Sequence, residues 1–251
     1  MLKVRIIPTL LYKDHGLVKG TSFDSWRRVG TALPAIKVYC LREVDELIIV
    51  DISATPEGRL IDCEVIDSLA DDCFMPLTVG GGVRSVDDFR RLLRAGADKV
   101  AVNTGALINP ELITNASAMF GAQCVVVSID VKKTNGGYEV YSHCGSRPTG
   151  REPVIWAQEA ASLGAGEILL TSIDRDGTMT GYDVDLVKCV TGAVSVPVIA
   201  SGGAGKPEHI RDIITDGHAA AAAAASVFHF TACTPLEIKR YLNEYGVPVR
   251  I

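Results

Sequence analysis

The amino-acid sequence predicts an α/β fold, a (β/α)8 TIM barrel built from two similar (β/α)4 halves. Eight short β-rich runs alternate with segments of helical periodicity along the 251 residues, which is the element order of such a barrel. Two stretches also recur at a constant spacing, which indicates an internal duplication. A doubly wound open sheet is the alternative, but it usually has fewer strands and one glycine-rich turn near its start, which this sequence lacks. We expect one barrel domain over residues 1–251.

The strands are predicted where apolar and β-branched residues cluster, and a helical pattern follows each of them. The predicted strands cover residues 5–10, 46–52, 77–80, 99–102, 124–130, 167–172, 196–200 and 220–224. The predicted helices lie near residues 33–43, 58–72, 86–95, 109–119, 153–163, 184–192, 207–216 and 235–244. Residues 135–149 are polar and rich in turn formers, so they are interpreted as a long loop after the fifth strand.

The internal repeat decides the prediction of the last strand. DELIIVDIS at 45–53 matches GEILLTSID at 166–174, and MPLTVGGGVRSVDDF at 75–89 matches VPVIASGGAGKPEHI at 196–210, with equivalent residues 121 positions apart (167 against 46, 197 against 76). Residues 219–225 are seven consecutive alanines, and alanine is the strongest helix former. This run nevertheless occupies the place that KVAVNT at 99–104 occupies in the first half, and we therefore predict a strand.

Composition and charge limit the binding partners and the cellular compartment that we expect for this protein. The formal net charge of −5 supplies no positive field for nucleic acid or an anionic membrane, so a bound phosphate has to be held by local groups. The seven cysteines are odd in number and form no C-x-x-C pair, which indicates reduced thiols in a cytoplasmic protein. The apolar run at the start is too short for a signal peptide, and no run reaches transmembrane length.

The fifth predicted strand, CVVVSID at 124–130, ends in a carboxylate. Strand alternation places Cys124, Val126, Ser128 and Asp130 on one face. An unpaired buried carboxylate is costly, so an acid at the carboxyl end of an apolar strand indicates a functional site. In a TIM barrel, this end of the strands carries the active site.

Glycines follow the third and seventh predicted strands, at equivalent places of the two halves. These are Gly80-Gly81-Gly82 and Gly202-Gly203, and the adjacent Asn103-Thr104 and Ala225-Ser226 can complete two cradles. Glycine lets backbone N–H groups approach a phosphate, although a glycine pair alone is also typical of a tight turn. Two copies in a duplicated barrel predict a long ligand with a phosphate at each end.

A polar segment from Thr171 to Thr178 follows the sixth predicted strand. Asp174 and Asp176 flank a basic residue and precede Gly177, which is typical either of a solvated Asp–Gly turn or of substrate contact. The histidines and carboxylates lack metal-ligand spacing, so we expect neither a metal nor another cofactor.

Four charged residues begin strands at the opposite end of the predicted barrel: Arg5, Glu46, Lys99 and Glu167. Strand alternation predicts that Arg5 and Lys99 point into the barrel. Two cations and two anions there sum to zero and can pair, which indicates a gate. Four exposed charges at strand starts are the simpler alternative.

Together, these residues resemble the cyclase subunit of imidazole glycerol phosphate synthase over the whole chain. The motifs that carry the resemblance are RIIP at 5–8, VKGT at 18–21, TVGGGVRS at 78–85, GADKVAVNT at 96–104, SID at 128–130, GAGEILLTSIDRDGT at 164–178, IASGGAGK at 199–206 and ASVFHF at 225–230. The resemblance implies a lyase whose partner glutaminase docks on the amino-terminal face of the barrel. Ammonia would pass the charged gate and the barrel interior, and would attack a bis-phosphate phosphoribulosyl-formimino aminoimidazole carboxamide nucleotide. Imidazole glycerol phosphate and an aminoimidazole carboxamide ribotide would be the products of this step of histidine biosynthesis.

The resemblance also implies roles for individual residues. Asp130 matches one of two catalytic aspartates of the family, and the four charges named above match its ammonia gate. Substrate and phosphate binding is implied for Lys19, Gly81, Gly82, Asn103, Thr104, Thr171, Asp176, Gly177, Ser201, Gly202, Gly203, Ala225 and Ser226.

The chain departs from the family at the other catalytic position, where Leu11 stands in place of an aspartate. Asp14 comes later, in the predicted loop, and does not replace it. Losing one general acid or base typically lowers a rate by about 10²–10⁴. Three interpretations stay open: a cyclase with slower turnover, an ammonia-supplying barrel that serves another enzyme, and a plain isomerase, which the four matching gate positions disfavour. Relatives resembling the second case take part in making amidino sugars for bacterial surface polysaccharides such as lipopolysaccharide O-antigen.

Overall fold

The computed structural model describes residues 3–251, in which parallel strands close into a barrel surrounded by helices. The strands are β1 (Arg5–Lys13), β2 (Gly16–Thr21), β3 (Asp24–Gly30), β4 (Leu47–Asp51), β5 (Leu77–Gly80), β6 (Lys99–Val102), β7 (Val125–Thr134), β8 (Gly137–Ser142), β9 (Arg147–Pro148), β10 (Glu167–Ser172), β11 (Val198–Ser201) and β12 (Ala221–Ala224). The helices are α1 (Ala32–Leu41), α2 (Cys63–Ala70), α3 (Val86–Arg94), α4 (Thr104–Ile108), α5 (Glu111–Phe120), α6 (Pro153–Ser162), α7 (Val184–Thr191), α8 (Pro207–Thr215), α9 (Ser226–Phe230) and α10 (Pro235–Glu244).

The barrel wall consists of β1, β4, β5, β6, β7, β10, β11 and β12. Each strand pairs in parallel with the next in this order, and β12 pairs with β1, so the wall is closed. Closure removes the exposed strand edges that an open sheet would have. The eight predicted strands and the eight predicted helices are all present, and the predicted (β/α)8 TIM barrel is confirmed.

Local capping signals define where several outer helices begin. The hydroxyl of Ser85 accepts from the backbone N of Asp88 at the start of α3, and the Asp88 carboxylate accepts in return from the Ser85 backbone N. Thr234 and Glu237 form the same reciprocal pair at the start of α10. Such capping boxes satisfy backbone donors that the first helical turn leaves free.

The two halves of the barrel have matching strands. Strand β11 lies 121 positions after β5 at both ends (198 against 77, 201 against 80), and β6 and β12 are equally long. The alanine run does form β12, pairs with β1 and β11, and is buried at all four positions. Hydrogen-bond ladders on both sides and complete burial outweigh helix-propensity differences of about 0.7 kcal/mol or less per residue.

Two sequence predictions near the fifth barrel strand are wrong. Cys124 belongs to a 3-10 turn that precedes β7, so it does not share the strand face of Val126, and β7 begins one residue later. The predicted long loop over residues 135–149 contains β8 and β9, which extend an antiparallel ribbon from the end of β7. Asn135-Gly136 forms the two-residue connection between β7 and β8, and this dipeptide is a hairpin signal that the prediction did not use.

A second hairpin, β2–β3, follows the first barrel strand and was not predicted. Strand β2 folds back on the end of β1, which therefore extends to Lys13 rather than ending at residue 10. The hairpin tip reaches across the carboxyl end of the barrel, where the backbone N of Ser22 donates to the carbonyl oxygen of Asp176 at 2.8 Å. The guanidinium of Arg27 lies 4.0 Å from the ring centroid of Phe230. The hairpin thus covers the mouth of the barrel.

Apolar side chains pack in two layers, one on each side of the barrel wall. The outer layer lies between strands and helices and contains fully buried Trp156 and Phe89. The inner layer fills the barrel with Ile7, Ile48, Ala101, Val126, Leu169, Ile199, Ala221 and Ala223. Among residues 3–251, no helix combines the length and apolar character required to cross a membrane.

Candidate active site

A cavity opens at the carboxyl ends of the barrel strands, beneath the β2–β3 hairpin. It is lined by Asp130, by Leu11 and by every one of the thirteen residues for which the sequence implied substrate or phosphate binding. These residues come from strands, loops and helix starts spread over the whole chain, and the closed barrel brings them together because its parallel strands all end at the same rim.

Asp130 lies on β7 in the wall of this cavity and is only 9% exposed. The Nδ2 amide of Asn103 donates to its Oδ2 atom at 2.8 Å. Burial raises the pKa of the Asp130 carboxyl to about 7, the negative charge of Asp176 adds to the rise, and hydrogen bonds from Asn103 and Ser128 oppose it. A carboxyl group with this pKa exchanges its proton near neutral pH, as a general acid or base requires.

Asp176 lines the same cavity and is paired with a lysine of the hairpin. Both Asp176 and Lys19 are buried, and the Lys19 Nζ atom lies 3.2 Å from Oδ1 of Asp176, while Oδ2 has no hydrogen-bond partner. The interpretation of a solvated turn is therefore wrong for Asp176. Asp174 points elsewhere, since its Oδ2 accepts from the backbone N of Lys133 at 2.8 Å.

Strand β1 contributes an apolar side chain to the cavity at residue 11, the position where the family resemblance implies an aspartate. Leu11 lines the cavity, together with Phe23 and Trp26 of the hairpin. Thr9, two residues earlier on the same strand, has a buried hydroxyl oxygen without a partner. Asp14 lies in the turn between β1 and β2, with φ of 46°, and does not line the cavity.

Glycines shape the two cradles that the repeat predicted. Gly82 and Gly203 have φ values of 72° and 112°, and a Cβ on either would collide with a neighbouring backbone carbonyl. Only glycine therefore allows the backbone to pass so closely at these two places. Beside them, the Ser226 hydroxyl and the Oδ1 atom of Asn103 are buried without partners, which is typical of a polar site whose ligand supplies the missing contacts.

Asp51 is a cavity residue that the sequence analysis missed, although it ends β4 as an acid on an apolar strand, the signal that identified Asp130. Its Oδ1 atom accepts from the backbone N and Oγ of Ser53 at 2.9 and 2.7 Å and from the backbone N of Ala54 at 3.2 Å. Its Oδ2 atom accepts from the Nη1 atom of Arg59 at 2.6 Å. Asp51 is thus occupied in holding the loop after β4.

Cys144 also lines the cavity, and it arrives on the β8–β9 ribbon that was predicted as loop. Its Sγ atom donates to the carbonyl oxygen of Ile52 at 3.1 Å. Burial raises the pKa of the Cys144 thiol to about 12, and the charges of Asp130 and Asp51 act in the same direction. The thiol is therefore neutral at pH 7. Sequence offered no signal for Cys144, Phe23 or Trp26, because their positions depend on how the two hairpins fold.

The four charged residues at the amino-terminal end of the barrel form a closed ring. Arg5 contacts Glu46 and Glu167 at 2.7 Å each, and Lys99 contacts the same two carboxylates at 3.0 and 2.9 Å. Glu46 is 1% exposed and also accepts from the Thr78 hydroxyl at 2.8 Å. Burial alone would lower the pKa of Arg5, but the charges and hydrogen bonds of Glu167 and Glu46 raise it. The alternative of four exposed charges is wrong.

Within residues 3–251, no group of three or more His, Cys, Asp or Glu side chains is arranged to hold a metal ion.

Comparison with known proteins identifies the family. The family model described as histidine biosynthesis protein matches residues 5–234. Two proteins of Caulobacter vibrioides, from strain NA1000 / CB15N and from strain ATCC 19089 / CIP 103742 / CB 15, are each 51% identical to the chain over 253 residues. Each alignment covers 100% of this chain and 97% of the relative, and both relatives are named imidazole glycerol phosphate synthase subunit HisF. With a match of this extent, the chain belongs to the histidine biosynthesis protein family.

Proposed function

We propose that this protein is the cyclase subunit of an imidazole glycerol phosphate synthase. It uses ammonia to convert a phosphoribulosyl-formimino aminoimidazole carboxamide nucleotide to imidazole glycerol phosphate and an aminoimidazole carboxamide ribotide. The 51% identity, over the full length of this chain, to two proteins named as subunits of that enzyme supports the proposal. The structural observation that carries it is a buried carboxyl group, Asp130, in a cavity that also contains both glycine-built cradles.

The two cradles hold the two phosphates of the substrate in this proposal. Gly82, Asn103 and Thr104 form one cradle, and Gly203 and Ser226 form the other. The cradles belong to equivalent places in the two halves of the barrel. A ligand that spans them lies across the barrel mouth, with its middle near Asp130.

Ammonia reaches the cavity through the ring of four charges and the apolar inner layer. Amines have pKa values well above 7, so ammonia in water at neutral pH is mostly ammonium. The inner layer around Ile7, Ile48 and Leu169 disfavours the cation, because burial in an apolar medium destabilises a charge. The passage therefore delivers the neutral nucleophile.

A glutaminase partner docks on the amino-terminal face in this proposal. Leu41, Phe74 and Met119 lie in or next to segments that precede barrel strands at this face, and they are 85%, 87% and 55% exposed. Large exposed apolar side chains at one end of a barrel are typical of an interaction surface. With a glutaminase bound, Lys99→Ala should alter glutamine-driven turnover and leave ammonium-driven turnover unchanged. Equal effects on both reactions would count against a channel.

The test of the cyclase is ammonium-dependent conversion of the nucleotide by the purified protein. Leu11→Asp restores the missing carboxylate, and Leu11→Asn is its matched control because it has the same size without the charge. Turnover by the unmodified protein, increased by Leu11→Asp and not by Leu11→Asn, is the expected result. No turnover by the unmodified protein or by Leu11→Asp would refute a cyclase.

Leu11 itself favours a second candidate function. In that case the barrel works with a glutaminase and hands ammonia to another enzyme, which forms amidino sugars of a bacterial surface polysaccharide. The charged ring and the apolar interior would serve this role without change. Turnover gained only by Leu11→Asp would support this second function, because the site would then lack one carboxylate and nothing else.

A further inference from the structure

We propose that Asp176 is a catalytic residue of this protein and supplies the second carboxylate of the acid–base pair, beside Asp130. The inference rests on the proposed cyclase function and adds a residue to it. Cyclisation needs one group that takes a proton from nitrogen and another that gives a proton to oxygen. With Leu11 on β1, that strand provides no such group to the cavity.

The described residues offer the cavity three carboxylates, Asp51, Asp130 and Asp176. Both oxygens of Asp51 are occupied by strong hydrogen bonds, two of them from Ser53 and one from Arg59 at 2.6 Å. Asp176 is different, because its Oδ2 atom is buried and has no partner. A buried acceptor that nothing satisfies within the protein is positioned to accept from a ligand.

The two remaining acids have different surroundings in the cavity. The ammonium group of Lys19 lies 3.2 Å from Oδ1 of Asp176, so a cation contacts this carboxyl group. Asp130 has no cation within salt-bridge distance among residues 3–251, and its hydrogen-bond donors, Asn103 and Ser128, are neutral. Two carboxyl groups in one site with opposed environments are a general arrangement for dividing acid and base roles.

The proton transfers balance with this assignment. The ammonia nitrogen forms a bond to the ketose carbonyl carbon, and the π electron pair of the carbonyl moves to its oxygen. Asp130 gives its proton to that oxygen, and Asp176 takes one proton from the nitrogen. The product of the step is a carbinolamine, and the pair ends with one proton, now on Asp176, and one negative charge, now on Asp130.

Asp176 also touches the hairpin, through Lys19 and through its own carbonyl oxygen, which accepts from the backbone N of Ser22 at 2.8 Å. A purely structural role would therefore be to hold the hairpin over the cavity. The two roles differ in one respect, since only the catalytic role can be taken over by a carboxylate placed elsewhere in the cavity.

The experiment compares Asp176→Asn with the double variant Leu11→Asp, Asp176→Asn in ammonium-dependent turnover. Asparagine keeps the backbone contact and an oxygen for Lys19, but it cannot take the proton. We expect a loss of about 10²–10⁴ in kcat/KM for Asp176→Asn, as for other removed general bases, and at least a tenfold recovery in the double variant. Recovery is the outcome that holding the hairpin does not predict.

A carbon-13 NMR titration of the Asp130 carboxyl supplies a readout independent of turnover. Removing the Asp176 charge should move the titration midpoint of Asp130 to lower pH. Unchanged turnover in Asp176→Asn, a loss without recovery in the double variant, or an unmoved midpoint would each overturn the inference. Absence of turnover in the unmodified protein would overturn the proposed function as well, so the two failures are distinguishable.

Discussion

Replacement of Asp130 by asparagine should stabilise this protein, and by an amount that grows with pH. The carboxyl group is 9% exposed, and burial with the neighbouring charge of Asp176 raises its pKa from 3.8 to about 7. Asparagine has nearly the same shape and keeps an oxygen that can accept from Asn103. It removes only the cost of ionising a buried acid.

The sign follows from the protons bound in each state. Between pH 4 and 7 the folded protein holds a proton on Asp130 that the unfolded chain has released, so the free energy of unfolding falls as the pH rises through that window. A rise of roughly three pKa units, at about 1.36 kcal/mol per unit, corresponds to a loss on the order of 4 kcal/mol by pH 8. The Asp130→Asn variant has no carboxyl group at this position, so its free energy of unfolding does not undergo this loss as the pH rises.

Urea unfolding of both proteins from pH 4.5 to pH 8.5 measures the effect. The difference in free energy of unfolding between Asp130→Asn and the unmodified protein should increase across the window and level off above pH 7. Asp185→Asn is the control, because Asp185 is exposed in the first turn of α7 and should show no comparable trend. A difference that stays constant with pH would refute the assignment of a buried, neutral Asp130.

Two further pairs of variants test the cradle and the base of the barrel by the same measurement. Gly58→Ala should lower the free energy of unfolding by about 1–2 kcal/mol, for its positive φ alone. Gly82→Ala should lower it by about 1–3 kcal/mol more and weaken phosphate binding, because only at Gly82 would the new Cβ collide with a backbone carbonyl. Equal losses in the two variants would contradict this reasoning. Lys239→Met should cost about 3–5 kcal/mol, since its buried Nζ atom contacts a buried carboxylate at 2.7 Å. The neighbouring exposed Arg240→Met should stay within about 0.5 kcal/mol, and a similar loss in both variants would show that the buried pair contributes little.

Much of the site could be predicted because barrel geometry converts position along a strand into position in space. Asp130 ends the predicted fifth strand and the glycines near Gly82 and Gly203 follow two others, so they had to meet at the carboxyl rim. Arg5 begins β1 and Glu46 directly precedes β4, so they had to meet at the other end. Even the alanine strand was predictable, because the repeat carried information that local propensity did not.

The cavity residues that were not predicted come from segments whose backbone path is not indicated by any strand or helix periodicity in the sequence. Trp26 and Cys144 reach the cavity on hairpins that lie outside the barrel wall. Lys19 meets Asp176 across 157 positions of sequence, and that contact depends on how the β2–β3 hairpin folds over the mouth. Asp51 shows the converse, since its position was predictable but the hydrogen bonds that occupy it were not.

By itself, the sequence determined the closed barrel, its duplication and the end of the barrel at which each charged residue lies, because strand alternation and strand order are properties of the chain. Only the tertiary structure decided the chemical state of those residues. The pKa of Asp130 depends on burial and on the charge of Asp176, and the free oxygen of Asp176 depends on what Lys19 leaves unoccupied. Both properties depend on contacts with residues that are distant in sequence, and those contacts exist only once the chain is folded.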